Sequence, residues 1–304
     1  MRKPRARQRI APPSSTLRAW FAASLQLRRV ARLLSFPVMF LFAALTPAGA
    51  QQIQPGGPEA NPGRPTVSTP ATLTPTGYFQ FETGLLNGWD SPGLSSQSSI
   101  NEVIKFSVAR RLELLFSTQP YAHSHATGEP ANAAGDVDLG FQAMVHEGEG
   151  ARPTIAFGYF GRVYSGDAPN LDIGSFKNSA LFLISADVKG FHYDTDYVFN
   201  EVVDGSIRRA EFGQTLSVSH ALAGRFAITG EIWHFTQPFL RSNAVGNLWA
   251  LSYSARRTLV FDGGFDRGLT STSTRWELFA GFTYLLPHRL WRPKMELAAE
   301  HASF

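Results

Sequence analysis

Three groups of polar side chains in this 304-residue sequence have types and spacings that could do chemistry. His192, Asp194 and Asp196 fall at alternate positions of one run. Alternate positions of an extended strand lie about 7 Å apart on one face. A histidine with two carboxylates so arranged has the donors to hold a metal ion or to activate water. Ser217, Ser219 and His220 offer a nucleophile and a base, but Ser219 and His220 are sequential and point to opposite faces of a strand. His123 and His125 are spaced for loose metal contact in a stretch read as a loop. There is no Gly-rich phosphate loop or nucleotide motif. None of the three groups makes a catalytic constellation, so the expectation is a non-enzyme with no catalytic, cofactor or metal residues. The competing reading of the first group, a polar lining inside a barrel, depends on the elements that carry it.

Those elements have a period of two, the strand period. In Asp136–Val145, Val137, Leu139, Phe141, Ala143 and Val145 share one face, and Asp136, Asp138, Gly140 and Gln142 the other. In Phe191–Asn200, Phe191, Tyr193, Thr195, Tyr197 and Phe199 oppose His192, Asp194, Asp196 and Asn200. In Arg275–Leu285, Trp276, Leu278, Ala280, Phe282 and Tyr284 oppose Arg275, Glu277, Gly281 and Thr283. Weaker alternation covers roughly 77–84, 100–109, 111–120, 153–163, 175–189, 208–220, 225–236, 244–256 and 258–267. The sum is about twelve strands, long enough to cross a bilayer at a tilt.

The connections support a membrane barrel. Short ones (110–111, 146–151, 189–190, 221–224, 256–257) alternate with others that tend to be longer (85–99, 121–135, 164–174, 201–207, 237–243, 268–272). In outer-membrane barrels short turns are periplasmic and long loops extracellular. An even strand count puts both chain ends in the periplasm. With no run of 18 apolar residues in the body of the chain a helical bundle is excluded, and the low mean hydropathy of −0.11 suits strands that alternate lipid-facing and lumen-facing residues. A soluble β-sandwich or lipocalin-like barrel also alternates, but rarely with twelve long strands behind an export signal.

That signal occupies residues 1–50. Nine of the 28 Lys and Arg lie in residues 1–32, followed by the apolar run LLSFPVMFLFAAL and a small-residue site at Ala48 and Ala50. None of the 24 acids precedes residue 51, so a chain starting at Gln51 carries a net charge of −5 instead of +4. The basic block belongs to the leader, and no nucleic-acid partner is expected. The absence of cysteine fits an oxidising compartment but decides little. Residues 51–75 hold six prolines and three glycines and read as a disordered periplasmic linker. The expected organisation is therefore a signal peptide (1–50), a linker (51–75), an all-β transmembrane antiparallel barrel (76–285) and a periplasmic tail (286–304).

The polar strand faces supply the expected lumen: Lys105, Glu113, Asp136, Asp138, Arg162, Lys177, Asp187, His192, Asp194, Asp196, Glu211, Glu231, Asp262, Asp266, Arg275 and Glu277. Charged rings tune which solutes pass a pore, and this interior is net acidic. A passive transport barrel follows, with outer-membrane lipid, a small-molecule solute and the barrel-assembly machinery as partners. Charges that pair and plug a narrow lumen, or delivery of hydrophobic solutes through the wall, are variants. A structural or surface-interaction barrel is the alternative, and a barrel hydrolase a more distant one.

Several segments also carry a resemblance. ETG (82–84), RRLELLFSTQPY (110–121), GDVDLGF (135–141), AFGYFGRVYSGD (156–167), GRFAITGEIW (224–233) and the pair LVFDGGFDRGLT and WELFAGFTYL (259–285) are patterns shared by many barrels. Together, over about residues 78–285, the chain resembles the MetA-pathway of phenol degradation family of outer-membrane proteins. It departs from the family at Tyr164, where a proline is usual before Gly-Asp, and in continuing past Leu285. The resemblance implies uptake of aromatic or other hydrophobic compounds and no enzyme activity.

Overall fold

The structure, a computed structural model, describes residues 57–126, 130–169, 171 and 176–291. These fall within one compact unit, Gly57–Phe304. The expected signal peptide, the first residues of the linker and the tail beyond Trp291 lie outside the described residues.

Among the described residues there are thirteen strands and no helix: β1 (Phe79–Ser91), β2 (Leu94–Ala109), β3 (Leu112–His125), β4 (Ala131–Ala133), β5 (Val137–His146), β6 (Thr154–Tyr164), β7 (Phe176–Val188), β8 (Phe191–Asp204), β9 (Ile207–Ala221), β10 (Phe226–Gln237), β11 (Ser242–Arg256), β12 (Leu259–Gly268) and β13 (Trp276–Leu285). All pairings are antiparallel. β4 is a short appendage on β3, and the other twelve strands pair with their neighbours in sequence. β1 pairs with β13 from Gln80↔Leu285 to Trp89↔Trp276, which closes the sheet into a twelve-stranded barrel. Closure satisfies the backbone without an open edge, the condition for a sheet in hydrocarbon.

Burial is inverted relative to a soluble protein. Inward residues such as Glu82 (2% exposed), Glu113 (1%) and Asp196 (1%) are buried, while outward Phe199 (57%), Ile232 (53%) and Leu139 (50%) are exposed. A water-soluble barrel would reverse these faces, because exposed apolar area on this scale is unfavourable in water. The outward belt is therefore matched to lipid.

The barrel end where β1 begins and β13 finishes is called the base here, and the opposite end the mouth. Base turns are short at 110–111, 189–190, 222–225 and 257–258. The mouth connections differ from expectation. The anticipated loop 85–99 is the upper part of β1 and β2 around a two-residue turn, Pro92-Gly93, and 201–207 and 237–243 shrink to 205–206 and 238–241. His123 and His125, read as loop residues, lie in β3. The cause is visible in β2, where Ser95, Ser96, Gln97, Ser98 and Ser99 are polar on both faces. Where strands are polar on both faces, the period-two signal vanishes although the strand continues.

Candidate functional site

The lumen is filled from the base by the chain's own residues 57–75, here called the strap. Five of its residues (Pro58, Pro62, Pro65, Pro70 and Pro75) lack an N–H, which keeps it out of the sheet. Many of its remaining donors find the wall. Asn61 donates to Gln80 Oε1 (2.8 Å) and accepts from Gln80 Nε2 (2.6 Å). The Gly63 N–H reaches Glu82 (3.0 Å), which Lys105 also contacts at 2.6 Å. Glu231 accepts from the N–H groups of Val67 (2.8 Å) and Ser68 (2.7 Å) and from Ser68 Oγ (2.5 Å). Asp196 accepts from Thr69 N–H (2.7 Å), Ser185 Oγ from Ala71 N–H (2.7 Å), and Glu113 from Thr74 N–H (2.9 Å) and the Thr74 hydroxyl. Gln142 Nε2 donates to the Pro70 carbonyl (2.8 Å).

This arrangement answers what a linker composition could not. The segment has no core of its own, but buried backbone donors require partners wherever they come to rest. The carboxylates inside the barrel provide them. Both ends of the strap are tied at the base: Ala60 N–H to the Arg257 carbonyl (2.8 Å), and Gly77 N–H to the Ser107 carbonyl (2.7 Å). The described part of the tail closes over the same point, with Leu290 N–H on the Gly77 carbonyl (2.8 Å) and Arg289 Nε on the Thr76 carbonyl (2.9 Å).

Above the strap the lumen carries an apolar cluster. Leu181, Leu183, Val198, Trp233, Phe235 and Ala244 form a buried cluster, with Phe160 beside it and Val67 and Ala71 of the strap contributing to it. Gly213 and Gly246 leave the room that the rings of Phe235 and Trp233 fill. Trp233 Nε1 donates to Asp266 Oδ2 (2.6 Å), so the indole has a partner. At the mouth, Arg162 is held between Asp136 (2.7 Å) and Asp138 (3.2 Å) and lies 4.9 Å over the Phe176 ring. After β6, residues 165–169 fold inward, with Ala168 buried and the Pro169 carbonyl accepting from Gln97 Nε2 (2.6 Å).

The residues picked from sequence divide by position. Lys105, Glu113, Asp196, Glu231 and Asp262 are buried and contact the strap directly; Asp194 is buried and meets it through Ser185. Asp138, Glu211 and Asp266 are buried nearer the mouth, where Asn200 Nδ2 donates to Glu211 (2.8 Å), and Glu277 is half-buried at the start of β13. Asp187 is exposed at the base and holds His192 Nδ1 (2.8 Å), whose Nε2 contacts Asp194 (3.2 Å). Two placements need correction. Lys177 sits at an irregular step between Phe176 and Asn178, where alternation fails, and is exposed. Arg275 precedes β13 and stands exposed beside Asp90 at 3.9 Å.

The groups with catalytic spacing are otherwise engaged. His220 Nδ1 is 2.9 Å from the Gly190 carbonyl and its ring stacks on Phe191, while Ser219 bonds Thr229 (2.8 Å). His123 is 2.7 Å from Asn132 Oδ1 and His125 is 3.3 Å from Ser96. Among the described residues no group of three or more His, Cys, Asp or Glu could hold a metal ion. Sequence reasoning missed the strap and the inward apolar residues. The latter left a trace: ALFLI (180–184) and IWHF (232–235) are largely apolar on both faces, which a barrel strand with a watery lumen would not be.

No family model matches the chain, and no curated protein matches it. Solved structures do. An outer membrane channel from Pseudomonas putida F1 superposes with a TM-score of 0.52 at 12% identity, covering 77% of this chain and all of that one. The NanC porin (TM-score 0.48, 10% identity, 68% of this chain and 98% of that one) and the CymD monoaromatic hydrocarbon channel (0.42, 9%, 69% and 88%) are more distant. The first likeness shows the fold: this chain has the architecture of an outer-membrane β-barrel.

Proposed function

We propose that this chain is an outer-membrane channel for passive uptake of small aromatic or otherwise hydrophobic solutes, closed toward the periplasm by its own strap. The observation that carries the reading is the apolar cluster of Trp233, Phe235, Leu181, Leu183 and Val198 inside the barrel. A pore for hydrophilic solutes has no use for such an interior, whereas an apolar solute gains free energy by leaving water for it. The outward lipid-matched belt and the likeness to the Pseudomonas putida F1 outer membrane channel support it. The resemblance to the MetA-pathway family points to the same solute class. On this reading residues 1–50 are a cleaved export signal, the barrel-assembly machinery inserts the chain, the base faces the periplasm, and the mouth faces the exterior.

The test is uptake into liposomes and single-channel recording with the chain Gln51–Phe304, offering aromatic acids, neutral aromatics and alkanes in turn. Uptake of the neutral hydrophobic class is the expected outcome. Passage of sugars or small ions at porin-like rates, with no effect of hydrophobic solutes, would sink the reading.

A further inference from the structure

One contact between strap and wall is built differently from the rest. Gly84 on β1 stands opposite Gly281 on β13, and Gly281 stands opposite Asp262 on β12. The two missing side chains leave a slot across the junction that closes the barrel. The Arg64 guanidinium lies in it, with Nη2 3.2 Å from Asp262 Oδ1. A methyl on Gly84 would overlap Cζ, Nη1 and Nη2 of Arg64, and one on Gly281 would come within 2.8 Å of Nε and Nη2. A flat guanidinium suits a slot floored by backbone, which the ammonium of a lysine would not fill. Arg64 is also the one cation in residues 57–75.

We propose that Arg64 in this glycine slot is the clasp that holds the channel shut, and that releasing it opens a cation-selective pore. The proposal rests on the reading of the barrel as a membrane channel. The sign of the selectivity follows from what the strap covers. Glu82, Glu113, Asp196, Glu231 and Asp262 all accept hydrogen bonds from the strap. Among the described residues, the wall's basic side chains in contact with these acids and their neighbour Asp194 are Lys105 at Glu82 and His192 at Asp194. With the strap displaced, the acids outnumber them around a narrow lumen, and a ring of one sign gathers counter-ions. Losing Arg64 also leaves the Asp262 carboxylate buried without its charged partner, which favours entry of water at that point.

Arg64→Ala and Gly84→Ala test the clasp from its two sides. The three atoms nearest to a methyl at Gly84 are all at the flexible end of Arg64, so the change evicts the guanidinium while sparing the wall. Gly281→Ala would not do, because its methyl would also meet the Thr83 carbonyl oxygen at 2.5 Å. The mature chain of each variant is recorded in planar bilayers under a salt gradient, with heat-modifiable migration confirming a folded barrel. Wild type should stay mostly closed. Arg64→Ala and Gly84→Ala should raise the open fraction about tenfold or more, the worth of one charge-assisted hydrogen bond, with reversal potentials on the cation side. Arg64→Lys should fall between. A folded variant of either kind that stays as closed as wild type, or one that opens without cation preference, overturns the clasp. Failure of wild type to take up hydrophobic solutes would sink the transport reading and leave this comparison standing.

Discussion

In the wall, backbone N–H and C=O groups pair with neighbouring strands, through runs such as Phe191↔His220 to Asp204↔Ile207 between β8 and β9. In the strap, most backbone N–H groups that reach the wall end on side chains: Gln80, Glu82, Glu113, Ser185, Asp196 and Glu231. The first kind of hold is spread over hundreds of atoms and is indifferent to side-chain identity. The second is concentrated in a few carboxylates and hydroxyls. A segment held that way can be displaced without dismantling the barrel around it, which is what a closing element needs.

The largest effect is expected at Glu231, which alone accepts from two strap N–H groups and a strap hydroxyl. Hydrogen bonds to a charged acceptor are worth about 1.5–3 kcal/mol each, so Glu231→Ala should weaken strap docking by at least about 3 kcal/mol. Cleavage of residues 57–75 by added protease, in a barrel that still migrates as folded, should rise about a hundredfold, since such cleavage follows the population of the open form. An unchanged cleavage rate would show that the strap is held by something other than the wall's side chains.

A wall substitution should do the reverse. Phe182 points outward at the middle of β7 and is 41% exposed to what is lipid in the membrane. An arginine at the bilayer midplane of a barrel costs about 2–4 kcal/mol. Phe182→Arg should therefore lower denaturant stability in vesicles by that amount and leave strap cleavage unchanged. If both respond together, wall and strap are one cooperative unit and the contrast between them fails.

How much of this was legible in the sequence follows the same division. The wall announces itself because period two survives wherever one face meets lipid, as in β5, β8 and β13. It falls silent where both faces are polar, as at 95–99, or both apolar, as at 180–184, and there strand ends and inward residues went unseen. Glu113, Asp196 and Glu231 were recognisable as lumen candidates from their phase alone. What they hold was not, because the strap's order is borrowed: GRPTVSTPATLTP has no periodicity, and its partners lie as many as 198 residues away. Arg64 and Gly84 could not be linked by any pattern, since only barrel closure brings Gly84, Gly281 and Asp262 into one row.

The smallest and sharpest comparison sets two serines against each other. Ser185 Oγ accepts from Ala71 N–H (2.7 Å) and donates to Asp194 (2.5 Å), so it links strap to wall. Ser219 Oγ bonds Thr229 Oγ1 (2.8 Å) and links wall to wall. Both changes to alanine remove one hydroxyl from an inward position near the base. Ser185→Ala leaves the Ala71 N–H buried without its acceptor, at a cost of about 1–2 kcal/mol to strap docking, and strap cleavage should rise roughly five- to thirtyfold. Ser219→Ala should leave it within about twofold of wild type, because Thr229 can turn its hydroxyl elsewhere and no strap donor is orphaned. Equal effects from the two would mean that the strap responds to lumen polarity in general, and that its individual hydrogen bonds are not what hold it.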